Sequence, residues 1–134
     1  MPLPSIGGVQ LGTGSPNEIR FFSQPAPATA TVTATLTVSQ LLTTLLLGSP
    51  STAAAAYTLP TATLMEAEFS SMRPDTAFDF SVINVDGSAS GVITMTAGTG
   101  WTMVGLMTVA ATAGTAQRFR ARQTAVGAWT LYRV

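Results

Sequence analysis

The chain has no cysteine, no histidine and no lysine, and charged residues make up only 9% of its 134 positions. An ordinary soluble domain carries roughly 25%. Each absence excludes something. Without Cys there is no disulfide framework and no thiolate metal site. Without His the commonest general base and the commonest metal ligand are missing. Without Lys or His a serine nucleophile has no base to activate it. The inventory therefore predicts no enzyme, no metal and no cofactor. Six acids balance six arginines, so no net field attracts nucleic acid. Long apolar runs are absent too. The most apolar stretch, Leu41 to Leu47, is interrupted by Thr43 and Thr44. It falls far short of the ~20 residues a membrane-spanning helix needs. The opening MPLPSIGG has neither the basic nor the apolar region of a secretory signal. The expectation is a protein made in a cytoplasm, with no membrane partner.

Apolar residues make up 46% of the chain, and mean hydropathy is +0.38. Thr and Ala stand where charges usually would. A free small protein relies on a charged, patch-free surface to stay dispersed. A surface this neutral points to a subunit that hides part of itself against other chains.

Residues 1–27 differ from the rest. Pro2, Pro4, Pro16, Pro25 and Pro27 alternate with Gly7, Gly8, Gly12 and Gly14. Pro removes backbone donors and Gly raises unfolded-state entropy, so regular structure is not expected. Ile6, Val9, Leu11, Ile19, Phe21 and Phe22 are too apolar for a solvated tail. The segment reads as an extended arm that orders against its own domain or against a partner subunit.

Residues 28–134 read as one β domain. From 28 to 38 Thr alternates with Ala, Val and Leu, the period of a strand. Ser39 is placed to cap a short helix through Leu47, with Gly48 and Pro50 as stop signals. Tyr57–Leu59 reads as a short strand. Thr63 and Glu66 suggest a capping box for a second helix over 63–71, burying Leu64, Met65, Phe69 and Met72. Further strands are expected at 77–85, 92–97, 101–109, 116–123 and 128–134, with turn signals at Asp86-Gly87, Gly98–Gly100, Gly114 and Gly127. Gly105 inside the third of these suggests a bulge or a close backbone approach. The predicted fold class is all-β: an antiparallel β-sandwich or jelly-roll-like domain with one or two short helices and an extended N-terminal arm.

Arg118, Arg120 and Arg122 occupy alternate positions of one strand and so share a face. They form a candidate ladder to carboxylates on a neighbouring chain, since Arg suits such pairing; the alternative is a solvated face. Glu66 and Glu68 lie two apart on a helix and do not share a face. Asp75, Asp79 and Asp86 lack the spacing of a calcium loop. Gly12-Thr13-Gly14 lacks the Lys of a phosphate loop. Trp101, Trp129 and Tyr132 are candidates for stacking on sugars, or for core and interface anchors.

The stretches TATLTVSQLLTTLLLGSPSTAAAAYTLPTATLM, FDFSVIN, ITMTAGTGWTMVG and WTLYRV resemble small virion proteins of tailed bacteriophages. The resemblance covers about three-quarters of the chain, and its motifs are structural. It implies a capsid decoration (cement) protein: a jelly-roll-like β domain, often a homotrimer, on the outer surface of the capsid. Its partners would be copies of itself and the major capsid protein, and it would be made in the host cytoplasm. Related β modules on tails and fibres make a receptor- or glycan-binding module the alternative.

Overall fold

The computed structural model of the protein describes residues 5–6, 9–10, 21–51, 53–86 and 90–134. Strands β1 (Ser5–Ile6) and β2 (Val9–Gln10) pair antiparallel and, among the described residues, only with each other. The expected arm is therefore not without regular structure. Leu11 and Ile19 lie outside the described residues. Residues 21–27 carry no regular structure and are exposed.

The Thr-rich alternation produces two short strands rather than one. β3 (Ala28–Ala30) belongs to one sheet and β4 (Ala34–Thr35) to the other. Hydrogen bonds to β6 (Ala55–Thr58) fix the corner between them. The Tyr57 hydroxyl lies 3.0 Å from the Ala30 carbonyl oxygen and 2.9 Å from that of Thr31. Thr33 Oγ1 accepts from the Ala56 N–H at 3.0 Å.

The Leu-rich run divides in the same way. Helix α1 (Val38–Leu42) is capped by Thr37, not Ser39, in a reciprocal box with Gln40. It ends at Thr43. Thr44 then takes φ 60, a left-handed conformation that is strained for a β-branched residue. That reversal launches β5 (Leu45–Gly48), where burial alternates and Leu46 points inward. The expected helix through Leu47 is thus half strand, because a short apolar run satisfies either period.

Helix α2 (Ala62–Glu68) starts one turn signal earlier than expected. Thr61 accepts from the Leu64 N–H at 3.2 Å, so Thr63 is not the cap. Met65 is buried and Leu64 exposed. Strands β7 (Ala77–Asn84), β8 (Ile93–Thr96), β9 (Trp101–Val104), β10 (Thr108–Val109), β11 (Thr115–Ala125) and β12 (Ala128–Arg133) follow. Their positions agree with the sequence pattern, except that 101–109 is cut in two at Gly105, φ 101. A side chain there would meet Arg133 Cβ at 3.0 Å.

The connectivity departs from expectation. One sheet has six strands in the order β3-β5-β7-β11-β12-β9; the other has four, β10-β8-β6-β4. From β3 to β10 each successive strand lies in the opposite sheet. A chain that crosses and returns re-enters each sheet in the same direction. Hence β3, β5 and β7 run parallel, as do β4, β6 and β8. Antiparallel pairing comes from β11 on β7, β12 on β11 and β10 on β8; β9 joins β12 in parallel. The sheets are therefore mixed, which corrects the expectation of an antiparallel sandwich or jelly roll. The Gly98–Gly100 turn marks a crossing between sheets rather than a hairpin.

Between the sheets lie Leu46, Tyr57, Phe80, Val82, Ile93, Met95, Phe119, Trp129 and Leu131, all buried. Phe80 and Phe119 face each other at 5.7 Å. Gly48 permits close approach of the sheets, since a Cβ there would clash with Ile93 and lie 3.1 Å from the Tyr57 ring. Buried Asn84 ties the connections together. Its Nδ2 donates to the carbonyls of Gly91 (2.7 Å) and Ala110 (2.9 Å), and its Oδ1 accepts from the Asp86 N–H at 3.0 Å. Asn84→Ala leaves two carbonyls short of a donor and is expected to cost about 2–3 kcal/mol. Urea unfolding measures this; an unchanged midpoint would show that the amide is dispensable.

Candidate functional site

The arginines of β11 share one face, as their spacing predicts, while Phe119 and Ala121 point into the core. The register sets Arg120 opposite Asp79 and Arg118 opposite Ser81. Arg120 grips Asp79 with two bonds, Nε to Oδ1 at 2.7 Å and Nη2 to Oδ2 at 3.0 Å. Arg122 pairs with Asp75 and reaches the Tyr132 hydroxyl at 3.4 Å. Asp75 holds its position with φ 75 and donates its N–H to the Gln123 carbonyl at 2.7 Å. Two rungs of the ladder are thus completed by acids of the same chain. Arg118 forms no ion pair among the described residues and stays exposed. All these groups are reached by solvent, so screening keeps the pairs weak.

The arm contributes the other candidates. Phe21 is 65% exposed and Phe22 is 77% exposed. Among the described residues nothing covers most of either ring. Two residues later the chain is clasped: Gln24 Nε2 donates to the Thr43 carbonyl at 2.6 Å, and Thr44 Oγ1 donates to Gln24 Oε1 at 3.3 Å. Strained Thr44 therefore sits where the arm leaves the domain, and its carbonyl also accepts from the Ser81 N–H at 3.0 Å. Ile6 and Val9 fall within β1 and β2.

The aromatic candidates are turned inward. Trp129 is fully buried and Trp101 is 8% exposed, their rings 5.4 Å apart. Trp101 Nε1 donates to the Pro60 carbonyl at 2.7 Å. Tyr132 is half-buried beside Arg122. These rings offer no exposed stacking platform. The acids do not converge either: among the described residues no three acidic side chains are placed to hold a metal ion. No described helix is long and apolar enough to cross a membrane.

Sequence reasoning missed the role of Glu66. Its Oε1 accepts from Gln123 Nε2 at 2.7 Å and from the Gly127 N–H at 2.6 Å, fastening α2 to the β11–β12 turn. A carboxylate on a helix gives no sign of a partner some sixty residues away in the chain.

No family model, curated protein or solved structure matches this chain. What the surface can do is therefore argued from its own chemistry.

The hydrogen bond from Arg120 holds the Asp79 carboxyl below its ordinary value of 3.8, with the charges of Arg120 and Arg118 adding to it against a smaller opposing effect of burial. A depressed carboxylate stabilises the fold above its unfolded-state value and loses that contribution as pH falls through the folded value. Carbon-detected NMR titration is expected to place the Asp79 midpoint below 3.8 and to find it raised toward 3.8 in Arg120→Gln. An unmoved midpoint would mean that the pair does not persist in solution.

Proposed function

We propose that the protein is a structural virion protein of a tailed bacteriophage, a capsid decoration protein acting as a homotrimer on the outer surface of the head. It stabilises the shell by bridging neighbouring major capsid protein subunits, and no chemistry is required. The exposure of Phe21 and Phe22 at the root of the arm carries this reading. Two adjacent phenylalanines left exposed by the described residues of their own chain are suited to a neighbour's surface. Burial of each contributes roughly 1.5–3 kcal/mol. Repeated over a symmetric shell, contacts of that size sum by avidity. The sequence resemblance to small virion proteins points the same way, as does the scarcity of charge.

Arg118 extends the proposed contact. Among the described residues it is the ladder arginine without a carboxylate partner, while Arg120 and Arg122 are occupied within their own chain. The tail or fibre module is the weaker reading, because glycan stacking needs exposed rings and Trp101 and Trp129 are buried.

Co-sedimentation with phage heads stripped of the protein tests the proposal. The full chain is expected to attach. A chain of residues 25–134 is expected to keep its β-sheet circular dichroism and attach at least tenfold more weakly. Equal attachment of the two would remove the arm from the contact, and no attachment by the full chain would overturn the head assignment.

A further inference from the structure

Four strands end the two large sheets: β3 and β9 in one, β4 and β10 in the other. An edge strand shows unpaired backbone groups, and proteins guard such edges with proline, charge, short length or a covering group. Three of the four are guarded. β4 and β10 are two residues long. β3 follows Pro25 and Pro27, and the outward carbonyl of Thr29 accepts from Gln40 Nε2 at 3.0 Å. β9 has none of these guards. The chain carries no charge and no proline from Trp101 to Val109. The register of β9 with β12, and the 2.8 Å bond from the Trp129 N–H to the Gly100 carbonyl, turn the backbone groups of Thr102 and Val104 toward β12 and those of Met103 away from it. Neither Met103 backbone group has a hydrogen-bond partner among the described residues. Thr102, Val104, Gly105 and Leu106 are exposed around it.

We infer that β9 receives an extended strand from a second copy of this chain, the segment Phe21–Ser23 at the root of its arm. Strand addition takes affinity from main-chain bonds and selectivity from alternate side chains. The segment meets both needs. The sequence has no proline between Pro16 and Pro25, so every residue there carries an N–H. Phe21, Phe22 and Ser23 are exposed and make no hydrogen bond among the described residues. Successive side chains of a strand point to opposite faces. The two rings therefore flank β9 on both sides of the sheet. One meets Met103, half-buried at the margin of the core, and the other meets Val104, 47% exposed. Reach decides the donor. A strand added to β9 lies five strand spacings from β5, about 24 Å. Phe21 stands three residues from Gln24, which is clasped at Thr43 and Thr44 beside the start of β5. Three residues span about 10 Å at most, and the length of the Gln24 side chain does not make up the difference. The segment thus falls short of β9 in its own chain. Pairing of two β9 edges would close a dimer and leave both phenylalanine pairs exposed. Passing the arm of each copy to the next satisfies every arm and every edge in a closed ring. The inference rests on the homotrimer proposed above and names where its copies join.

The chain has no cysteine, so a single introduced thiol reports its own contacts. Full chains with Ser23→Cys and full chains with Thr102→Cys, both at exposed positions, are co-expressed and treated with a short bismaleimide. The expected product joins one chain of each kind, and neither variant alone yields a product. Hydrogen exchange supplies the second reading. The Met103 N–H of the full chain is expected to exchange at least tenfold more slowly than in the full-length Phe21→Ser/Phe22→Ser variant. The Phe119 N–H, inside the six-stranded sheet, is expected to exchange equally in both, which shows that both are folded. Absence of the mixed product, a product from Thr102→Cys alone, or equal Met103 exchange in the two proteins would each overturn the inference. Neither reading uses phage heads, so a failure of strand exchange and a failure of head attachment are told apart.

Discussion

The apolar layer between the two sheets is the constraint on which the rest of the molecule depends. Neither sheet buries its inner face alone, and the chain crosses that layer after almost every strand. Each crossing has its own device. The hydroxyl of Tyr57 holds the corner after β3, Gly48 lets the sheets close, Asn84 gathers three backbone groups, and Gly105 turns β9 out of one sheet and β10 into the other. Burial also raises the Tyr57 hydroxyl above its ordinary value, because a phenolate in that position would lose its hydration. The stability tied to that proton is present below the unfolded-state value of about 10 and lost as pH rises through the folded one.

Electrostatics is correspondingly local. Asp79 and Asp75 are spent on Arg120 and Arg122, and Glu66 is spent largely on the turn after β11. These contacts shape surfaces more than they stabilise the fold, since exposed ion pairs contribute little. What remains for other molecules is mostly apolar: Phe21 and Phe22 on the arm, Leu106 beside the β9 edge, Val126 at the turn. Few charges to desolvate and exposed apolar groups at the extremities fit the proposed role of a subunit covered by its neighbours.

The sequence carried the local periods well and the long-range partners poorly. Alternation of Phe78, Phe80 and Val82 with their polar neighbours located β7, and the arginine spacing put Arg118, Arg120 and Arg122 on one outer face. Thr31–Thr33 and Thr43–Thr44 hid their corners, because Thr is a good strand residue and nothing in its side chain announces a bend or a left-handed turn. Caps slipped for the same reason: Thr37 and Thr61 did the work that Ser39 and Thr63 were equally able to do. Strand direction was invisible, since glycine-containing turns look alike whether they close a hairpin or carry the chain across to the other sheet. The bond from Gln123 to Glu66 was equally hidden, because an inward glutamine in a strand looks no different from an outward one until the faces are assigned.

In the proposed trimer the isolated domain is an incomplete object, finished by copies of itself. Light scattering of the purified chain across a wide dilution series tests this most directly. The account predicts a mass of three chains that persists on dilution. A mass of one 13.8 kDa chain at every concentration would contradict it.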